Sequence, residues 1–109
     1  MYRDVGFARA RSVHSESLTR YQHILPLERI RFFQFPDDPE PSEDWQIDYL
    51  DPGSYRVQDV AAAIAEIPGA MADWDICHIF TPRSSLIAEA VVLAYERKGY
   101  RFKLRHHEE

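Results

Sequence analysis

Asp75-Ile76-Cys77-His78-Ile79-Phe80, followed by Thr81-Pro82-Arg83-Ser84-Ser85, decides the fold. Ile76, Cys77, Ile79 and Phe80 are apolar on both parities, the pattern of a central strand covered on two sides. The residues that follow, Ser84 to Lys98, form an apolar run with a narrow polar stripe at Glu89 and Glu96, and this predicts a helix. Gly99 supplies the left-handed residue that releases the chain. Tyr100 to Arg105 then alternates, with Tyr100, Phe102 and Leu104 on one side and Arg101, Lys103 and Arg105 on the other. Strand, crossover helix and strand in this order imply parallel pairing.

The same grammar extends toward the N-terminus. Asp51-Pro52-Gly53-Ser54 opens a helix from Tyr55 to Ile67, with Val57, Val60, Ile64 and Ile67 at helical spacing, and Pro68-Gly69 closes it. Trp45 to Leu50 is a strand with Trp45, Ile47 and Tyr49 on one face. Residues 36–44 form an acidic loop in which Pro36, Pro39 and Pro41 forbid a helix or a central strand. Glu28 to Phe35 reads as a strand, and Ala8 to Leu25 as a helix that Pro26 ends. The order is therefore α-β-β-α-β-α-β in one domain spanning 1–109. It predicts a small α/β sandwich with about four mostly parallel strands. The alternative is a two-layer α+β sandwich whose exposed sheet face collects Arg29, Arg31, Asp48, Lys103 and Arg105.

Hydrophobic residues make up 45% and charged residues 28% of the 109, which excludes a wholly disordered chain. The longest apolar stretch, Leu86 to Tyr95, is too short to span a bilayer, so no membrane partner is expected. The N-terminus lacks the apolar core of a secretory signal, and Asp4 and Glu16 count against a transit peptide. Cys77 is the single cysteine, which fits a reducing compartment and a cytoplasmic protein. A net charge of -5 argues against broad nucleic-acid binding. That charge is unevenly spread: Asp37, Asp38, Glu40, Glu43, Asp44, Asp48 and Asp51 share one stretch without a base. Arg97, Lys98, Arg101, Lys103 and Arg105 share another without an acid.

In an open parallel sheet, ligands bind beyond the carboxyl ends of the strands. Two loops are expected there, Asp51-Pro52-Gly53-Ser54 and Thr81-Pro82-Arg83-Ser84-Ser85. The candidate ligand-binding residues are Asp51, Gly53, Ser54, Thr81, Arg83, Ser84 and Ser85. Hydroxyls and an arginine at a helix start suit an anion, Arg83 by a two-pronged grip and Gly53 by letting a ligand approach the backbone. Neither GxxxxGK[ST] nor GxGxxG occurs, so a Walker-type or dinucleotide-binding site is not expected.

Asp37-Asp38 after one strand, Asp51 after the next, Thr81 after another and Lys103 in the last are loosely similar to the receiver domains of two-component signalling. The intervals of 30 and 22 residues from Asp51 to Thr81 to Lys103 carry that likeness. It implies a degenerate receiver-like signalling domain. The sequence departs from the pattern between Asp38 and Asp51, where 12 residues leave no room for a helix and a strand.

No catalytic residue, metal site or cofactor is expected. His14, His23, His78, His106 and His107 are scattered, and Cys77 and His78, as strand neighbours, point to opposite faces. The wide apolar face of the helix from Ser84 to Lys98 predicts a homodimer through Ile87, Val91, Val92 and Tyr95. The expected function is a non-catalytic regulatory or sensing module that binds a small anionic ligand, bearing a nucleotide or phosphate, as a dimer. A protein-interaction domain without a small ligand is the alternative, and a small enzyme of nucleic-acid processing ranks behind it.

Overall fold

The computed structural model describes residues 2–9, 21, 23–38 and 46–107. Five strands, β1 (Arg3–Arg9), β2 (Ile30–Gln34), β3 (Ile47–Tyr49), β4 (Asp75–Ile79) and β5 (Phe102–His106), form one sheet in the order β3-β2-β1-β4-β5. Every pairing is parallel, with Gly6 beside both Ile30 and His78, Phe32 beside Ile47 and Cys77 beside Leu104. Among the described residues, α1 (Val57–Ala65) and α2 (Leu86–Lys98) connect β3 to β4 and β4 to β5. A 3-10 turn at Leu27–Arg29 leads into β2.

The α/β class and the parallel sheet stand, but the sheet has five strands rather than about four. The fifth is β1, which occupies the centre of the sheet. The helix expected from Ala8 to Leu25 cannot start at Ala8, because Ala8 and Arg9 belong to β1. Most of the rest of that helix lies outside the described residues. So do Trp45, where the second predicted strand was to begin, and the part of the acidic loop from Pro39 to Asp44.

Both faces of the sheet carry a buried cluster. On one, Val5, Phe7, Phe33, Cys77 and Ile79 pack under Val60, Ala61 and Ile64 of α1 and Ile87, Val91 and Tyr95 of α2. On the other, Ala8, Ile30, Phe32 and Phe80 pack with Tyr21 and Leu25. Full burial of each of these phenylalanines contributes about 1.5–3 kcal/mol. Gly6 is what lets the second layer approach, since a Cβ there would overlap Leu25 Cδ2 and crowd Ile30 and Phe80 at 3.1 Å. The two-layer alternative fails on the same ground. Arg31 and Asp48 lie on the helix-bearing face and pair at 3.0 Å, whereas Lys103 and Arg105 lie on the opposite face.

The helix ends follow from their sequence. Ser85 caps α2, its Oγ accepting the Ala88 amide at 3.1 Å. Gly99 takes φ 70°, and the amides of Gly99 and Tyr100 return to the carbonyls of Glu96 and Tyr95, a Schellman ending. At the amino ends of β1 and β4, the buried Asp75 carboxylate accepts two hydrogen bonds from Arg3, at 2.9 and 3.1 Å, and one from the Tyr95 hydroxyl at 2.5 Å. This knot ties β1, β4 and α2 together on the side of the sheet away from the loops described next.

Candidate functional site

The strand order has a topological consequence. The chain steps from β1 outward to β2 and β3, then returns to the far side of β1 as β4 and steps outward again to β5. The strands that follow β1 and β4 therefore lie on opposite sides of that pair, the arrangement at which folds of this kind open a crevice. All five strands run the same way, so the loops after β3 and after β4 reach the same rim.

The seven predicted residues do not share one cavity at that rim. Asp51, Gly53 and Ser54 line a hollow of about 280 Å³ together with Pro36, Asp37 and Tyr55. Gly53 takes φ 75°, a conformation that favours glycine, and carries this turn. The Ser54 hydroxyl donates to the Asp59 carboxylate and its oxygen accepts the Arg56 amide at 3.3 Å, bracing the start of α1. The Tyr55 hydroxyl donates to Asp37 at 3.4 Å. Asp37, one of the residues of the receiver-like pattern, thus faces Asp51 from the end of β2.

Across the rim, Thr81 is buried and its Oγ1 lies 2.8 Å from the Ser85 Oγ, which itself caps α2. These two hydroxyls hold the β4–α2 turn. Ser84 is exposed, and Arg83, also exposed, lines a different hollow of about 400 Å³ with Val92, Leu93 and Leu104. The receiver-like set is not assembled. Lys103 stands inside β5 opposite Ile76, three residues before His106, the partner of Ile79, with its ammonium 4.5 Å from the centre of the Tyr2 ring near the amino end of the sheet.

The predicted dimer residues are mostly spent inside the chain. Ile87, Val91 and Tyr95 are fully buried between the sheet and α1, and only Val92 of the four is half-buried. The broad apolar face of α2 arises because α1 packs on its flank while the sheet covers its underside.

Sequence reasoning missed one cluster. His78, buried on the face opposite the helices, places Nε2 2.9 Å from Asp4 Oδ1 and Nδ1 2.9 Å from His107 Nε2. The Asp4 carboxylate can only accept, so the Nε2–H tautomer of His78 satisfies this contact and leaves Nδ1 to accept from His107 Nε2–H. The His107 ring stacks on Phe80 at 4.9 Å and meets Tyr21 at 5.5 Å. Burial first, then the charges of His78, His106 and Arg105, hold His107 below the ordinary histidine value of 6.5. No spacing rule finds this cluster, because the three residues are 74 and 29 apart; recognising β1 as the neighbour of β4 would have placed Asp4 beside His78.

Cys77 points to the other face, and burial pushes its thiol up to about 12, which keeps it protonated. Among the described residues no three His, Cys, Asp or Glu side chains converge as metal ligands. Among them, too, no helix is long and apolar enough to cross a membrane. No protein-family model, curated protein or solved structure matches the chain.

Proposed function

We propose that the chain is a non-catalytic binding module that holds a small anionic ligand of the nucleotide type along the carboxyl rim of its sheet. The observation that carries the reading is the strand order, with its reversal between β1 and β4. The hollow of Asp37, Asp51, Gly53 and Ser54 suits the hydroxyl-bearing end, since carboxylates accept from sugar hydroxyls and repel phosphate. The exposed Arg83 and Ser84, on the turn that Thr81 and Ser85 brace, suit the phosphate end.

Thermal unfolding in the presence of nucleoside mono-, di- and triphosphates and of inorganic phosphate tests this. A ligand at tenfold excess over its Kd adds about 1.4 kcal/mol to stability. For a domain of this size each kcal/mol raises Tm by about 4–8 °C. Arg83→Ala and Asp51→Asn each diminish the rise. Absence of any rise across the whole set rejects the reading. A second reading, a protein-interaction module, draws on Leu104, a large apolar side chain 47% exposed on the edge strand β5.

A further inference from the structure

We propose that the outer edge of β5 is a docking site for an extended peptide that alternates acidic and apolar residues and adds to the sheet as a sixth strand. Among the described residues no strand lies beyond β5. The His107 amide donates to Ile79 O and the Arg101 carbonyl accepts from Trp74 and Asp75, so odd-numbered backbone groups turn toward β4. By the alternation of a strand, the backbone N–H and C=O of Leu104 turn outward. They offer a template for one more strand.

The two faces of that edge differ in chemistry. On the face opposite the helices, Lys103 and Arg105 are exposed. On the helix-bearing face, Leu104 lines the 400 Å³ hollow with Val92 and Leu93. An added strand therefore meets cations at every second position and an apolar recess at the position between. Acidic, apolar, acidic is the pattern that satisfies both faces. Asp73 is engaged by Arg101 and Asp4 by His78, whereas Glu89 and Glu96 stand at the wall of the hollow on the helix-bearing face, where they disfavour an acidic residue and leave that position to an apolar one.

The same charges select against a second copy. A two-fold axis through Leu104 would set Lys103 of one copy against Arg105 of the other. An axis through Lys103 or Arg105 would set each against itself. Like charges directly opposite destabilise a strand pair, so the edge rejects its own image and favours an acidic one.

The test uses the full chain and three labelled peptides, read by fluorescence anisotropy. One alternates Glu and Val, one alternates Lys and Val, and one holds the same Glu and Val residues in two separate blocks. The alternating Glu peptide is expected to bind saturably, with the block peptide and the Lys peptide at least tenfold weaker. Charge reversal by Lys103→Glu with Arg105→Glu is expected to exchange the preference to the Lys peptide. Leu104→Pro, which deletes the outward amide on an edge strand where proline is tolerated, weakens binding at least tenfold. Circular dichroism confirms that each variant is folded. Equal binding of the block and alternating peptides reduces the site to unspecific charge and overturns the proposal. So does indifference of the charge-reversed chain, or a wild-type dimer in light scattering that Leu104→Asp converts to a monomer. None of these three outcomes decides the nucleotide reading: Arg83 borders the same hollow, but that reading is tested separately by the thermal response of Arg83→Ala and Asp51→Asn to nucleotides.

Discussion

His107 joins three environments in one ring: a hydrogen bond to His78, a stack on Phe80 and the end of the edge strand. Its depressed proton affinity makes stability depend on pH with a defined sign. The unfolded chain takes up the proton near 6.5, and the folded chain resists it until lower pH. The contribution of His107 is complete above 6.5 and is lost as pH falls below it toward the folded value. Urea unfolding at pH 8, 6.5 and 5 should show a midpoint that declines across this range, and His107→Gln should flatten the decline. An unchanged slope in the variant would show that His107 does not carry it. Asp73 acts in a separate window: its partner Arg101 holds it at about 2 from 3.8, so its share is lost only as pH falls between those values. The sequence offered both residues as charges without context. Their partners, His78 on β4 and Arg101 just before β5, become neighbours only through the three-dimensional order of the strands.

At the scale of elements, the β4–α2 turn rests on two hydroxyls. Ser85→Ala removes the cap of α2 and the partner of the buried Thr81 together. It should cost about 1–2 kcal/mol in equilibrium unfolding, whereas Arg83→Ala, on the exposed side of the same turn, should change stability by less than about 0.5 kcal/mol. A smaller loss in Ser85→Ala than in Arg83→Ala would contradict this division of roles. The elements from β3 to β5 were legible because each has a long periodic run and a punctuating Pro or Gly. β1 was not, and the reason is physical. Gly6 and Ala8 are small because Leu25 and Phe80 press against that face, so the side of the strand away from the helices carries almost no hydrophobic signal and only Val5 and Phe7 mark the other. A glycine inside a short segment argues against a strand in sequence terms, while in the sheet it marks close approach. The rim loops were placed at the correct edge, but their separation into two hollows depends on where β2 ends, which spacing does not encode.

For the whole molecule, the strand that the sequence hid is the one that holds the two halves together. β1 pairs with β2 on one side and β4 on the other, and it supplies Val5 and Phe7 to one core and Ala8 to the other. Deleting residues 1–9 should abolish cooperative unfolding, read as loss of the thermal transition in circular dichroism. A truncated chain that still melts cooperatively would mean that β2 and β4 can pair directly. The knot at Asp75 supports the same conclusion, because its arginine comes from β1 and its tyrosine from α2.

The central position of β1 also sets a schedule for biosynthesis. β1 leaves the ribosome well before β4, whose Ile79 faces Phe7, and must wait for it before its second edge is covered. At about 5–20 residues per second this is a delay of several seconds with an open, sticky backbone. Chaperone dependence during translation, rather than instability of the finished protein, is where this architecture would be most vulnerable.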